Sequence, residues 1–301
     1  MELTEPKPRV ENLAIAFAWL GLAYMVAAFL GMEIAVWLPG TGGIWKALQA
    51  DLVATVVIFA FSLVFRNASF YDPYWSLAPI LIGGYFLGES HGAAQPQRAL
   101  AVLILVTLWG LRLTWNWMRG WTGLHHEDWR YRDLRQRTGK WYPAVNLLGI
   151  HLFPTLQVFL GCLSLYPALA LHGNRLNGLD ALAFVVTAGA ILLEAVADEQ
   201  LRAFRLKKRA PEEILATGVW AWCRHPNYLG EILFWWGLYL FGLAASRDWW
   251  WTIVGPLAMT LMFVFISIPM IDNRMKKKRP AYAAHIKQVP ALLPRLIGRS
   301  R

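Results

Sequence analysis

The sequence predicts an all-α fold, a polytopic membrane bundle of seven or eight transmembrane helices. Three observations predict it. Of 301 residues, 57% are apolar and only 16% are charged, too little polar surface for a water-facing chain of this length. Aromatic residues make up 14%, with 17 Trp among them, and the mean hydropathy is positive. Apolar runs of the ~20 residues needed to cross ~30 Å of hydrocarbon recur along the chain, and basic residues cluster between alternate runs.

Eight runs qualify, at roughly 13–37, 48–65, 75–88, 99–118, 143–171, 179–197, 228–246 and 250–271. The first is too long for a signal-peptide core and lacks a clear cleavage site, so it reads as a retained helix. The third, WSLAPILIGGYFLG, is short and holds Pro79, Gly83 and Gly84, the pattern of a broken or re-entrant helix. The whole chain, 1–301, reads as one integral membrane domain.

The 29 Lys and Arg test this division. Under eight spans, 24 of them fall on the side of the N-terminus, in Lys7 and Arg9, Arg66, and the segments 119–140, 202–224 and 274–301. Only Lys46, Arg98, Arg175 and Arg247 fall on the other, and Arg112 lies within a span. Cytoplasmic loops carry the basic excess, so both termini are expected in the cytoplasm. The net charge of +10 is therefore concentrated at one membrane face, where it suits anionic lipid or an anionic cofactor better than nucleic acid. Cys162 and Cys223 lie in or beside apolar segments, where free thiols are expected.

Ionisable residues within spans are costly and mark sites. In LLEAVADEQLRAFR, Glu194, Asp198 and Arg205 recur at i, i+4 and i+11 on one helical face. The bland alternative, intrahelical Asp–Arg pairing at a helix end, leaves the deeper Glu194 unexplained. In CRHPNYLGEILFWWG, Pro226 suits the first turn of a new helix, with Asn227 and Glu231 one turn apart and Arg224 and His225 just before it, an anion site at a helix start. Arg112 shares a helical face with Asn116 and Arg119 and needs an anionic neighbour. Asp72 stands among Tyr71, Tyr74 and Trp75, where an aromatic belt accounts for the rings better than for the acid.

No GxGxxG after a strand and no GxxxxGK[ST] occurs, so neither a Rossmann nor a P-loop nucleotide site is supported. His125, His126, Glu127 and Asp128 are adjacent, but consecutive side chains on a helix diverge, and no HExxH or CxxC spacing is present, so no metal is expected. The following DWRYRDLRQRTGKW reads as a basic, aromatic loop.

The ordered elements FYDPYWSLAP, WGLRLTWNW, EDWRYRDLR, LEAVADEQLRAF and GVWAWCRHPNYLGEILFWWG resemble the DUF1295 branch of the membrane steroid 5-alpha-reductase superfamily, over about residues 66 to 297. The resemblance implies an enzyme that binds NADPH at the cytoplasmic face and reduces a carbon–carbon double bond conjugated to a ketone. The family's Asn-x-x-x-Asp with a following Arg is matched by Glu194, Asp198 and Arg205, and its Asn-Phe-Leu-Gly-Glu by Asn227, Tyr228, Leu229, Gly230 and Glu231. With Arg112, Asn116, Arg130, Tyr131, Arg224, His225, Arg274 and Tyr282, these positions are expected to line the cofactor, most of them in the C-terminal part, 179–301. Where steroid-reducing members place a ketone-binding Tyr, WGLRLTWNW places Trp109, a poor proton source. The proton donor is then expected among Asp72, Tyr71 and Tyr74.

A hydrophobic lipid or steroid-like substrate is expected to arrive from the bilayer. Two other readings remain open at this stage. RHPxY also resembles the S-adenosylmethionine-dependent isoprenylcysteine and phospholipid methyltransferases, and buried carboxylates also serve lipid-binding or transport proteins.

Overall fold

The computed structural model describes residues 12–39, 42–207, 210 and 212–293. Lys7, Arg9 and the end of the basic tail lie outside them. Every regular element among the described residues is helical. Seven helices are long and apolar enough to cross a membrane: α1 (Leu13–Trp37), α2 (Gly43–Val64), α4 (Pro96–Met118), α5 (Trp129–Cys162), α7 (Gly178–Leu206), α8 (Pro226–Ala245) and α9 (Arg247–Lys278). Between them lie α3 (Tyr74–Glu89), α6 (Leu165–Leu169) and, after α9, α10 (Tyr282–Gln288).

Contacts gather the chain into two compact units, unit 1 over Met1–Ala78 and Leu113–Leu156, and unit 2 over Pro79–Arg112 and Gln157–Arg301. In unit 1, α1 lays a face of small residues, Ala16, Ala23, Ala27, Gly31 and Ala35, on α2, as membrane helices do where backbones approach closely. After α2 the chain turns back along it. Phe70 packs its ring against Phe65 and Phe61, and its carbonyl accepts the Tyr24 hydroxyl at 2.9 Å. The third apolar run therefore begins beside α2, and its helix has 16 residues, shorter than the seven spans.

Two expectations need correction. The segment expected as a polar loop is a helix from Trp129 to Thr138. Asp128 caps it by accepting from the Arg130 amide at 2.8 Å, and Asp133 pairs with Arg137 one turn on. The fifth run, expected as one span over 143–171, starts earlier and stops at Cys162. It passes through a π-helical turn, Asn146–Leu152, and breaks before the short α6.

In unit 2, α7 and α8 form the most extensive helix pair. Glycine permits it: a Cβ on Gly230 would stand 2.8 Å from Glu194 Cβ and 2.9 Å from the Ala190 carbonyl. At the opposite end of α7, Arg98 is buried and grips Asp180 through Nε at 2.7 Å and Nη2 at 2.9 Å. Asn177 and Asp180 close a capping box there.

Candidate functional site

The most concentrated polar group in unit 2 grows from three helices. Glu194 and Asp198 are one turn apart on α7 and share a face. Arg112 of α4 reaches both, with Nη2 2.7 Å from Glu194 and Nη1 2.8 Å from Asp198. From the first turns of α8, Asn227 hydrogen-bonds Asp198. Glu231, one turn further, accepts from Trp235 Nε1 at 2.9 Å and Trp109 Nε1 at 3.0 Å, and its carboxyl lies within hydrogen-bonding reach of Glu194. Gly230 is what lets the two carboxyls meet.

Glu194 and Glu231 are each 4% exposed, so both are almost wholly desolvated. One guanidinium thus faces three carboxyl groups away from water, an arrangement held together only while the charge is balanced. Its hydrogen-bonding capacity is not exhausted. Arg112 Nε makes no hydrogen bond among the described residues. Trp109 is fully buried, stacked on Phe234 at 4.3 Å, and its only N–H is spent on Glu231. Arg205 is exposed in the last turn of α7 and interacts with Asp198 through charge.

A second cluster in unit 2 centres on Asp272 of α9. It receives Arg224 Nη2 at 2.8 Å, His225 Nε2 at 3.0 Å and the Tyr282 hydroxyl at 3.0 Å. Arg224 Nη1 also donates to the carbonyls of Val289 and Ile286, and the amides of Arg224 and His225 donate to Pro290 at 2.9 Å and Ala291 at 3.1 Å. Pro226 opens α8 as its first residue, in line with the sequence. The two residues before it take Asp272 as their anion and bind the C-terminal segment. Burial and the neighbouring carboxylate push the Tyr282 hydroxyl up. Tyr228 stacks on His225 at 5.3 Å and against Phe263 at 4.9 Å. Arg274 is half-buried two residues after Asp272.

The remaining candidates belong to unit 1. Asn116 accepts from Arg119 at 2.9 Å. Tyr131 donates to Asp72 at 2.6 Å, and Trp117 Nε1 donates to it at 3.2 Å, while Arg130 pairs with Asp128 at 2.8 Å. Burial raises the Asp72 carboxyl to about 6, against the opposing pull of Arg130 and Tyr131. A carboxyl raised by folding contributes stability that is complete below its unfolded value near 4 and is lost as pH rises through about 6. Asp72→Asn, permanently neutral, is expected to flatten that part of the melting-temperature profile between pH 4 and 7. Parallel profiles for the two proteins would refute the assignment.

Tyr71 and Tyr74 face other partners. The Tyr71 hydroxyl exchanges a hydrogen bond with Thr155 at 2.8 Å, and burial pushes it well above its ordinary range. The Tyr74 hydroxyl donates to Asp51 Oδ1 at 2.6 Å. In the adjacent acidic stretch, Glu127 accepts the Ala68 amide at 2.9 Å and Arg135 Nη2 at 2.8 Å, so it ties the helix after it to the turn at Ala68.

Sequence reasoning passed over Asp51 and Asp272. Asp51 lies inside the second apolar run and Asp272 one residue past the eighth, and the rule that singled out Glu194, that an ionisable residue in or beside a span needs a partner, applies to each.

The family model described as "Protein of unknown function (DUF1295)" matches residues 58–289. An uncharacterized protein of Schizosaccharomyces pombe (C594.04c) is 31% identical over 266 residues, covering 80% of this chain and 77% of that protein. No solved structure matches.

Proposed function

The chain belongs to the DUF1295 family, and we propose that it is an NADPH-dependent membrane reductase related to the steroid 5-alpha-reductases. Its substrate is a hydrophobic, steroid-like or other lipid enone that enters from the bilayer, and the basic, cytoplasmic face admits the cofactor. The observation that carries the reading is the convergence of Arg112, Glu194, Asp198, Asn227 and Glu231. Two sequence elements that resemble cofactor motifs of the steroid 5-alpha-reductase superfamily supply one interior cluster.

The residues fit a dinucleotide in their chemistry. Its carboxamide and ribose hydroxyls are donors, and an acid-rich cluster offers acceptors in Glu194 and Asp198, with Asn227 able to do both. Arg112 Nε is a buried donor with no hydrogen-bond partner among the described residues. Phosphates suit Arg205 and Arg274, because a planar guanidinium binds them bidentately. Bound NADPH supplies a hydride. The chain's part is to hold the ring in register and to polarise the ketone as negative charge develops on its oxygen. Of the three candidate donors, Tyr74 is assigned this role; its hydroxyl donates to Asp51 in this structure and turns from that carboxyl to reach a ketone, while Asp72 accepts from Tyr131 and Trp117.

The test separates this reading from a methyltransferase. NADPH at a hundredfold excess over its dissociation constant is expected to stabilise the purified protein by about 2.7 kcal/mol, with no shift from S-adenosylmethionine, and enones are expected to drive NADPH oxidation. Protection by S-adenosylmethionine alone would overturn the proposal.

A further inference from the structure

We propose that the interior of unit 1 holds a row of water molecules and hydroxyls that conducts protons along α2 to the Tyr74–Asp51 pair. The row deepens the reductase reading and rests on it for its chemical purpose. Asp51, Thr55 and Ser62 lie on one face of α2, at i, i+4 and i+11, and are 6%, 0% and 1% exposed. They span about 16 Å of helix. Facing them, α5 is wound as a π-helical turn over Asn146–Leu152, a distortion that recurs at functional sites. His151 and Asn146 in that turn, and Thr155 one turn later, are buried.

Hydrogen bonds and one ring contact mark the row, with water proposed in the gaps between them. Tyr74 donates to Asp51. Thr55 and Thr155 share a hydrogen bond at 2.8 Å, and Thr155 and Tyr71 share another at 2.8 Å. The Tyr71 ring lies 4.9 Å from the His151 ring. His151 Nδ1 meets the Asn146 carbonyl at 3.0 Å, and Asn146 Nδ2 reaches Ser62 at 3.4 Å. The Ser62 end is the basic one, where Arg135 donates to the Arg66 carbonyl.

Along this row three atoms make no hydrogen bond among the described residues: Asp51 Oδ2, Asn146 Oδ1 and His151 Nε2. All three are acceptors, since a carbonyl partner fixes the imidazole proton on Nδ1. Buried acceptors of this kind require donors, and in an enclosed polar row the small donor is water. Hydroxyl pairs such as Thr55 and Thr155 are also common packing contacts between membrane helices, worth well under 2 kcal/mol each. Packing accounts for those pairs. It leaves the three acceptors without donors.

The reaction needs such a path. Hydride transfer carries two electrons to the β carbon, breaks the C=C π bond, oxidises the nicotinamide and leaves an enolate. The enolate takes one proton at its α carbon, so each turnover consumes one enone, one NADPH and one proton. That proton comes from the Tyr74–Asp51 pair, which is replenished from the basic end through the hydroxyls, the His151 ring and the waters of the row, while the Asn146 carboxamide holds a water and carries no proton itself.

X-ray hydroxyl-radical footprinting of the intact protein in lipid nanodiscs reads internal water directly. Tyr71 and His151 are expected to be labelled at least several-fold faster than Phe86 and Trp235, which are equally buried. The isosteric Thr155→Val is expected to reduce labelling of Tyr71 and, in turnover with an enone, to enlarge the solvent isotope effect while leaving NADPH protection intact. Labelling of Tyr71 and His151 no faster than Phe86 would overturn the row. Labelled residues in a protein that oxidises no NADPH would instead sink the reductase reading and leave the row standing.

Discussion

Replacing Arg112 by alanine is expected to destabilise the protein by about 3–5 kcal/mol, because it strands three desolvated carboxyl groups around a missing cation. Glu194 and Asp198 contact that guanidinium directly and Glu231 feels its charge, with Arg205 acting on Asp198 as well. The melting temperature of detergent-purified protein checks it. Arg112→Lys separates folding from binding. It keeps the charge near the acids but loses the fork that spans Glu194 and Asp198, so the fold should survive while NADPH affinity falls by tenfold or more. Wild-type affinity in Arg112→Lys would show that the fork has no part in holding the cofactor.

The second large effect is expected at Asp272. Removing its carboxyl leaves Arg224 and His225 buried without their common acceptor and frees the Tyr282 hydroxyl. Asp272→Ala should cost about 3–5 kcal/mol by the same logic of a broken buried pair. The loss should also be local. Residues 282–291 are held through Tyr282 and through carbonyls that accept from Arg224 and His225, so hydrogen exchange in that segment should rise far more than in α7. Uniform exchange across both would mean that Asp272 does not anchor the C-terminal segment.

Much of this was legible from local pattern. Apolar length placed the spans, and Pro226 marked the start of α8 because proline loses nothing at a first helical position. The face shared by Glu194 and Asp198 follows from helical period alone. What local pattern does not carry is which distant charge answers which. Arg112 needed an anion, and only the packing of α4 on α7 says that it takes two. Arg224 and His225 looked like anion ligands, yet Asp272, 48 and 47 residues away, occupies them. The basic stretch after Asp128 looked like a loop because it lacks an apolar face; its cap and its Asp133–Arg137 pair make it a helix. Nor does local pattern carry that the Trp109 N–H meets Glu231, 122 residues away.

The carboxyl pair beside Arg112 is thus a product of glycine at position 230, two tryptophan N–H donors and one arginine, none sufficient alone. A density map of the protein with NADPH in lipid nanodiscs tests the central claim most directly. The expected result is dinucleotide density in contact with Arg112, Glu194, Asp198 and Asn227. Saturating NADPH with those four side chains unaltered and no density beside them would contradict it.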